Sequence, residues 1–308
     1  MQKDESAKGT GVVLDFIGIG APRCGTTWIT ALLNAHPDIC TSAQKELHFF
    51  SHDPHYKKGT AFLENQFTHC PSHARKGEWS VDYLYSTEAI QRIYTHNPNV
   101  RLIVCFRDPV ERAYSHFLLQ KESAVISPFY TLSKLLNGDD RYKYIKRGHY
   151  AKALAPWLSV FPKEQFHFII YETFVENPQK HIQELYRFLG VDETFLPENI
   201  SQTVDYRARK KFHFRLLQHA INAATAWYKR TALRPALAVL KLRSGLRFLS
   251  RLNRRTTAEW FEKPKLSTAQ YAALARHFST EAEELHTLTG IKPSLWRASK
   301  FASEVSNT

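Results

Sequence analysis

The sequence has no apolar run near the roughly 20 residues that a transmembrane helix requires. Its opening, MQKDESAKGTG, lacks the apolar core of a signal peptide. Residues 1–11 are therefore expected to form a disordered tail, and the protein is expected in the cytoplasm, at most peripheral to the inner membrane face. Cysteine is scarce. Cys24, Cys40, Cys70 and Cys105 include no C-x-x-C pair, and the fifteen histidines show no H-E-x-x-H or similar spacing, so no metal is expected. Internal repeats and low-complexity tracts are also missing, which excludes solenoids and arrays.

Acidic residues are missing from one long stretch. Between Tyr206 and Ala258 stand fourteen Lys/Arg and no Asp or Glu. Set aside from the chain's 42 basic residues, these fourteen leave 28 against 29 acidic ones, so the formal net charge of +13 resides in that stretch. An excess placed so locally marks a partner-facing surface. The overall 43% hydrophobic and 23% charged content is ordinary for a globular chain, long enough to build one large α/β domain.

What is present is a strand, a glycine-bearing turn and a helix start. Val12 to Ile19 is a short apolar run, followed by Gly20-Ala21-Pro22-Arg23-Cys24-Gly25 and then by Thr26, Thr27 and the periodic Trp28, Leu32 and Leu33. Backbone N–H groups and the positive end of the helix dipole then converge on one spot, which suits a phosphate. The spacing nearly matches the nucleotide-binding pattern G-x-x-x-x-G-K-[ST], with Gly20, Gly25 and Thr27 in place. Thr26 stands where the lysine belongs, and the cation is Arg23, inside the loop. A magnesium nucleoside triphosphate needs that lysine; the loop reads as built for another phosphate.

Further along, Val100 to Phe106 reads as a central parallel strand, and Asp108-Pro109 opens a helix carrying Arg112, Ser115 and His116. Tyr150 to Phe161 reads as an amphipathic helix and Gln165 to Tyr171 as a third strand. Asn177-Pro178 starts a helix that Gly190 stops after Leu189. Strands alternating with helices imply a parallel sheet covered on both faces, with ligands beyond the strands' carboxyl ends.

Three segments together resemble the sulfotransferases that use 3′-phosphoadenosine-5′-phosphosulfate (PAPS), in the bacterial and glycosaminoglycan-type branch. GAPRCGTTW resembles the phosphosulfate loop, FRDPVERAYSHF (Phe106 to Phe117) the 3′-phosphate site, and KELHFF (Lys45 to Phe50) the catalytic segment, in the family's order over roughly residues 12–200. The resemblance implies a P-loop-like three-layer α/β fold with a central parallel sheet. It spans 12–308 as one sulfotransferase domain with a basic helical insertion at about 206–258. It implies PAPS as sulfuryl donor, bound by Arg23, Cys24, Gly25, Thr26, Thr27, Trp28, Arg107 and Ser115, with Arg209 and Lys210 from a mobile basic loop.

It also implies Glu46 as general base, Arg23 as the cation on the leaving oxygen, and His48 as a residue that orients the base or touches the acceptor. Arginine does not release a proton in practice, so Arg23 stabilises charge without acting as an acid. In extended chain Glu46 and His48 would point to one side. Lys45 is read as solvated in preference to a residue that helps hold an anionic acceptor. Ser51 stands where relatives carry an aspartate, and Trp79 where they often carry a lysine. Golgi members of the family are anchored, so the unanchored opening implies a bacterial or soluble form.

The acidic-free stretch has helical apolar spacing over Phe212 to Tyr228 and Pro235 to Leu252, with Arg243, Arg247 and Arg251 four residues apart. Three readings stay open: an interfacial helix pair on an anionic membrane serving a lipid-linked acceptor, a wall for a polyanionic saccharide, or a helical lid. No nucleic-acid reader motif is present. The expected activity is sulfuryl transfer to a hydroxyl or amine of a lipid-linked or carbohydrate acceptor. The alternatives are a P-loop-type kinase or a non-catalytic anionic-membrane-binding protein.

Overall fold

The computed structural model describes residues 11–127, 129–140, 143–198, 200, 209–212, 215–230, 242–252, 254–257 and 264–298. The expected tail, Gly11 apart, lies outside them, as do 206–208 and 231–241 of the basic stretch. The chain divides into two compact units: Met1–Pro109 with His149–Val204 and Phe278–Thr308, and Val110–Gly148 with Asp205–His277.

The first unit is built on five parallel strands: β1 (Phe16–Gly20), β2 (Ile39–Thr41), β3 (Arg75–Trp79), β4 (Arg101–Phe106) and β5 (Phe166–Ile170), in the order β2-β3-β1-β4-β5. β1 is buried throughout, and β4 is buried apart from Arg101, as strands covered on both faces must be. β1 begins later than the apolar run because Asp15 is engaged with the neighbouring strand. Its carboxylate accepts from the Lys76 N–H at 2.8 Å and pairs with Arg75 at 3.1 Å. β2 is only three residues long, and β3 has the sequence RKGEW, which does not alternate. β3 packs closely because Gly18 opposite it has no side chain; a Cβ there would lie 2.0 Å from the Trp79 ring.

α1 (Thr26–Ala35) follows β1. The helix Pro178–Leu189 has the expected ends: the Asn177 side chain accepts from the Lys180 N–H, and Gly190 adopts φ 68°. The helix expected to reach Phe161 runs from Tyr150 to Leu158, with Pro156 inside its last turn. Asp53–Tyr56 forms a short helix. Cys40 and Cys70 form a disulfide across 30 residues, a link that spacing does not reveal.

In the second unit the helix Pro109–Glu122 carries a ring cluster, Phe117 with Tyr130 and Tyr144. The basic stretch contributes an antiparallel pair, Arg209–Phe212 with Arg254–Thr257, and two helices, Arg215–Arg230 and Leu242–Leu252. Gln218 Nε2 donates to Ser250 Oγ at 3.1 Å and ties these helices together. The mixed-charge C-terminal region makes two helices, Thr268–Ala275 in this unit and Glu281–Thr289 in the first. Among the described residues no helix is long and apolar enough to cross a membrane.

Candidate active site

The turn after β1 is pinned from below. Ala21 N–H donates to the Cys105 carbonyl at 2.9 Å, and the Cys105 thiol donates to the Cys24 carbonyl at 2.7 Å. Cys24 is fully buried, with its sulfur 3.8 Å from the Tyr150 hydroxyl, so its side chain faces the core. The Trp28 ring is likewise core, edge-on to Phe174. Its buried Nε1 has no hydrogen-bond partner among the described residues. Gly25 caps α1 at φ 81° with no side-chain acceptor, which leaves the first-turn amides without a side-chain cap. The close approach of Tyr171 also requires glycine here: a Cβ on Gly25 would stand 2.6 Å from that ring.

Arg107 continues from β4, and its Nη1 donates to the Arg23 carbonyl at 3.4 Å. Its guanidinium lies 4.8 Å above the Tyr171 ring, and its carbonyl accepts from the Tyr150 hydroxyl at 2.9 Å. The two expected anion segments therefore adjoin at the carboxyl edge of β1 and β4. Ser115 is buried on the helix Pro109–Glu122, in the second unit. Arg112, also buried there, donates to the Tyr144 carbonyl. Arg209 and Lys210 lie in the strand Arg209–Phe212; their side chains fall outside the described residues.

KELHFF is not extended. Glu46 and His48 both adopt positive φ, 61° and 50°, as does Arg23 at 72°. These are three of the five non-glycine residues with positive φ among the described residues, and all three are residues expected to be catalytic. Such conformations persist where surrounding contacts impose them, and they cluster at functional sites. The contacts here are specific. Glu46 N–H donates to the Trp79 carbonyl at 3.2 Å, and Val81 N–H donates to Glu46 Oε2 at 3.0 Å. His48 N–H donates to Ser80 Oγ at 3.0 Å. The turn places His48 Nε2 3.9 Å from Glu46 Oε2, so the pair meets for a reason other than strand alternation.

Below this segment lies a buried carboxyl. Ser80 Oγ donates to Glu78 Oε2 at 2.9 Å. Burial pushes the Glu78 carboxyl up to about 8, against hydrogen bonds from Tyr83 and Ser80 that favour its charged form. Lys45 is not a free surface lysine. Its Nζ donates to Thr26 Oγ1 and Thr27 Oγ1, each at 3.2 Å, and lies 3.4 Å from Glu46 Oε1. Cys40, Cys70 and His69 also come together, His69 Nε2 lying 3.5 Å and 3.8 Å from the two disulfide sulfurs.

The sulfotransferase-domain family matches residues 14–225, which contain both anion segments and KELHFF. This chain belongs to that family. It is 30% identical over 192 residues to heparan sulfate glucosamine 3-O-sulfotransferase 5 of Mus musculus, covering 60% of this chain and 54% of that protein. It is 30% identical over 200 residues to the Mus musculus 3-O-sulfotransferase 3B1, covering 63% and 50%. The chain thus spans about half the length of the curated relatives it matches. A solved sulfotransferase from Alicyclobacillus acidocaldarius superposes with a TM-score of 0.65 at 20% identity, over 93% of this chain and 99% of that one, which establishes the shared sulfotransferase fold.

Within this sulfotransferase fold, sequence reasoning missed Tyr171, Glu78, the Val81 amide and the reach of Lys45. A backbone amide carries no sequence signature. The signal for Lys45 was its place one residue before the expected base.

Proposed function

We propose that this chain transfers a sulfuryl group from PAPS to a hydroxyl of a carbohydrate acceptor, with Glu46 as general base. The observation that supports this best is the contact of Arg107 with the Arg23 carbonyl, which joins two anion-binding segments at one sheet edge. Two guanidinium groups, an uncapped helix start and paired threonine hydroxyls suit a bisphosphorylated nucleotide.

PAPS, when bound, supplies an activated sulfuryl group. The chain's part is placement and charge. Gly25, Thr26 and Thr27 hold the 5′-phosphate, Arg107 holds the 3′-phosphate, and Arg23 offsets charge on the leaving oxygen. Glu46, held at Oε2 by the Val81 amide, takes the acceptor proton, with His48 beside it. The relatives are heparan sulfate glucosamine sulfotransferases, and a polyanionic, glucosamine-containing saccharide is the acceptor class we favour.

The kinase alternative fits less well. In a nucleoside-triphosphate P-loop the hydroxyl at Thr27's position holds magnesium; here it accepts from Lys45. The basic segment at 206–258 suits a polyanionic saccharide by charge. The exposed Trp227, Phe248 and Leu249 favour a second reading, contact with an anionic membrane. Flotation with phosphatidylserine vesicles, set against salt elution from heparin, separates the two.

Calorimetry should show binding of adenosine 3′,5′-bisphosphate and none of ATP with magnesium. A mass-shift assay with PAPS should show sulfate added to heparan sulfate oligosaccharides. Glu46→Gln should lose turnover at least a hundredfold and keep nucleotide binding. Binding of ATP-magnesium alone, or full turnover by Glu46→Gln, overturns the assignment.

A further inference from the structure

Lys45 stands where three lines of the site cross. It follows β2 and lies nineteen residues beyond Thr26, yet its ammonium rests on the Thr26 and Thr27 hydroxyls of the phosphate loop. The same nitrogen is 3.4 Å from Glu46 Oε1. A P-loop with threonine in the lysine position lacks a loop cation that can give up a proton, since Arg23 keeps its own. Lys45 brings such a cation from outside the loop to the hydroxyls beside that position.

We propose that Lys45 is a further catalytic residue, the proton-donating cation on the donor's leaving phosphate, linked to Glu46 so that the two groups reset one another. This rests on the sulfotransferase reading above. Glu46 takes the acceptor's hydroxyl proton as the acceptor oxygen bonds to sulfur. The bond between sulfur and the bridging oxygen breaks, and its electron pair stays on the 5′-phosphate of the leaving nucleotide. Lys45 gives that phosphate a proton. The proton on Glu46 then returns to the Lys45 amine across their contact, and both groups regain their starting charge. Burial lowers the Lys45 pKa and nearby Arg23 lowers it further, while Glu46 opposes them; the net shift is downward, toward easier proton release. The two hydroxyls can only accept from the ammonium through their oxygen lone pairs, which leaves their own protons for phosphate oxygens.

The test compares wild type, Lys45→Ala and Lys45→Arg, with Lys57→Ala as a surface control and circular dichroism melts to confirm folding. Affinity for adenosine 3′,5′-bisphosphate is read by calorimetry, and turnover by nucleotide release from PAPS with a heparan sulfate oligosaccharide. We expect Lys45→Ala to lose at least tenfold in affinity and a hundredfold in kcat. Lys45→Arg, charged but unable to release a proton, should regain the affinity and stay at least tenfold low in kcat. Wild-type affinity in Lys45→Ala, or wild-type kcat in Lys45→Arg, overturns the proposal while leaving the sulfotransferase reading in place. Wild type that neither binds the bisphosphate nor consumes PAPS overturns both.

Discussion

Glu78→Gln should remove a specific pH dependence from the stability of the first unit. Glu78 is fully buried on β3, and its Oε1 has no hydrogen-bond partner among the described residues. Its carboxyl is raised from 4.5 to about 8, chiefly by burial. Between those values the folded chain keeps a proton that the unfolded chain has released. Stability from this group is therefore complete below pH 4.5, falls as pH rises, and is gone above about 8. At about 1.4 kcal/mol per pH unit, the whole interval is worth roughly 5 kcal/mol. Glutamine keeps the shape and an acceptor for Ser80 but does not titrate. Urea denaturation at pH 5 and at pH 8.5 should show the wild type losing several kcal/mol more than Glu78→Gln over that range. Equal losses would mean that Glu78 ionises like a surface carboxyl, and the burial argument would fail.

Two further outcomes follow from the geometry. Gly25→Ala meets a left-handed backbone cost of about 1–2 kcal/mol and an aromatic ring at 2.6 Å, worth about 1–3 kcal/mol more. Its melting temperature should fall by roughly 5–15 °C and bisphosphate binding should weaken, with partial recovery when Tyr171→Leu is added; a melt within about 1 °C of wild type contradicts this. The Cys40–Cys70 link spans 30 residues, for which chain entropy gives roughly 3.5 kcal/mol. Cys40→Ser and reduced wild type should melt together and well below the oxidised protein, and a melt indifferent to reductant refutes the link. A disulfide of this kind suits an oxidising compartment better than the expected cytoplasm, and alkylation of free thiols on rapid lysis is the measurement that decides.

What could be read in the sequence was whatever local chemistry determines. The strand, turn and helix around Gly20 to Gly25, the run at Val100 to Phe106, the Asn177 cap and the Gly190 stop are each set by a few adjacent residues. β2 and β3 were harder because neighbouring strands, rather than their own pattern, hold them in the sheet. Glu46 and His48 were expected on an extended backbone, and that expectation fails. Extended chain would have put them on one side without strain; the fold instead turns both residues left-handed and holds them with the Trp79 carbonyl, the Val81 amide and the Ser80 hydroxyl. No local propensity favours that conformation for glutamate, so at Glu46 it appears only when tertiary contacts outweigh a cost of order 1–3 kcal/mol. The same contacts explain why Lys45 misled: its sequence neighbours are polar, and only the turned backbone carries its ammonium to Thr26 and Thr27. Strain at Arg23, Glu46 and His48 thus has one physical consequence. The contacts that impose these backbones hold the three residues in place without a ligand, so in the sulfotransferase reading proposed above little binding energy would be needed to assemble them.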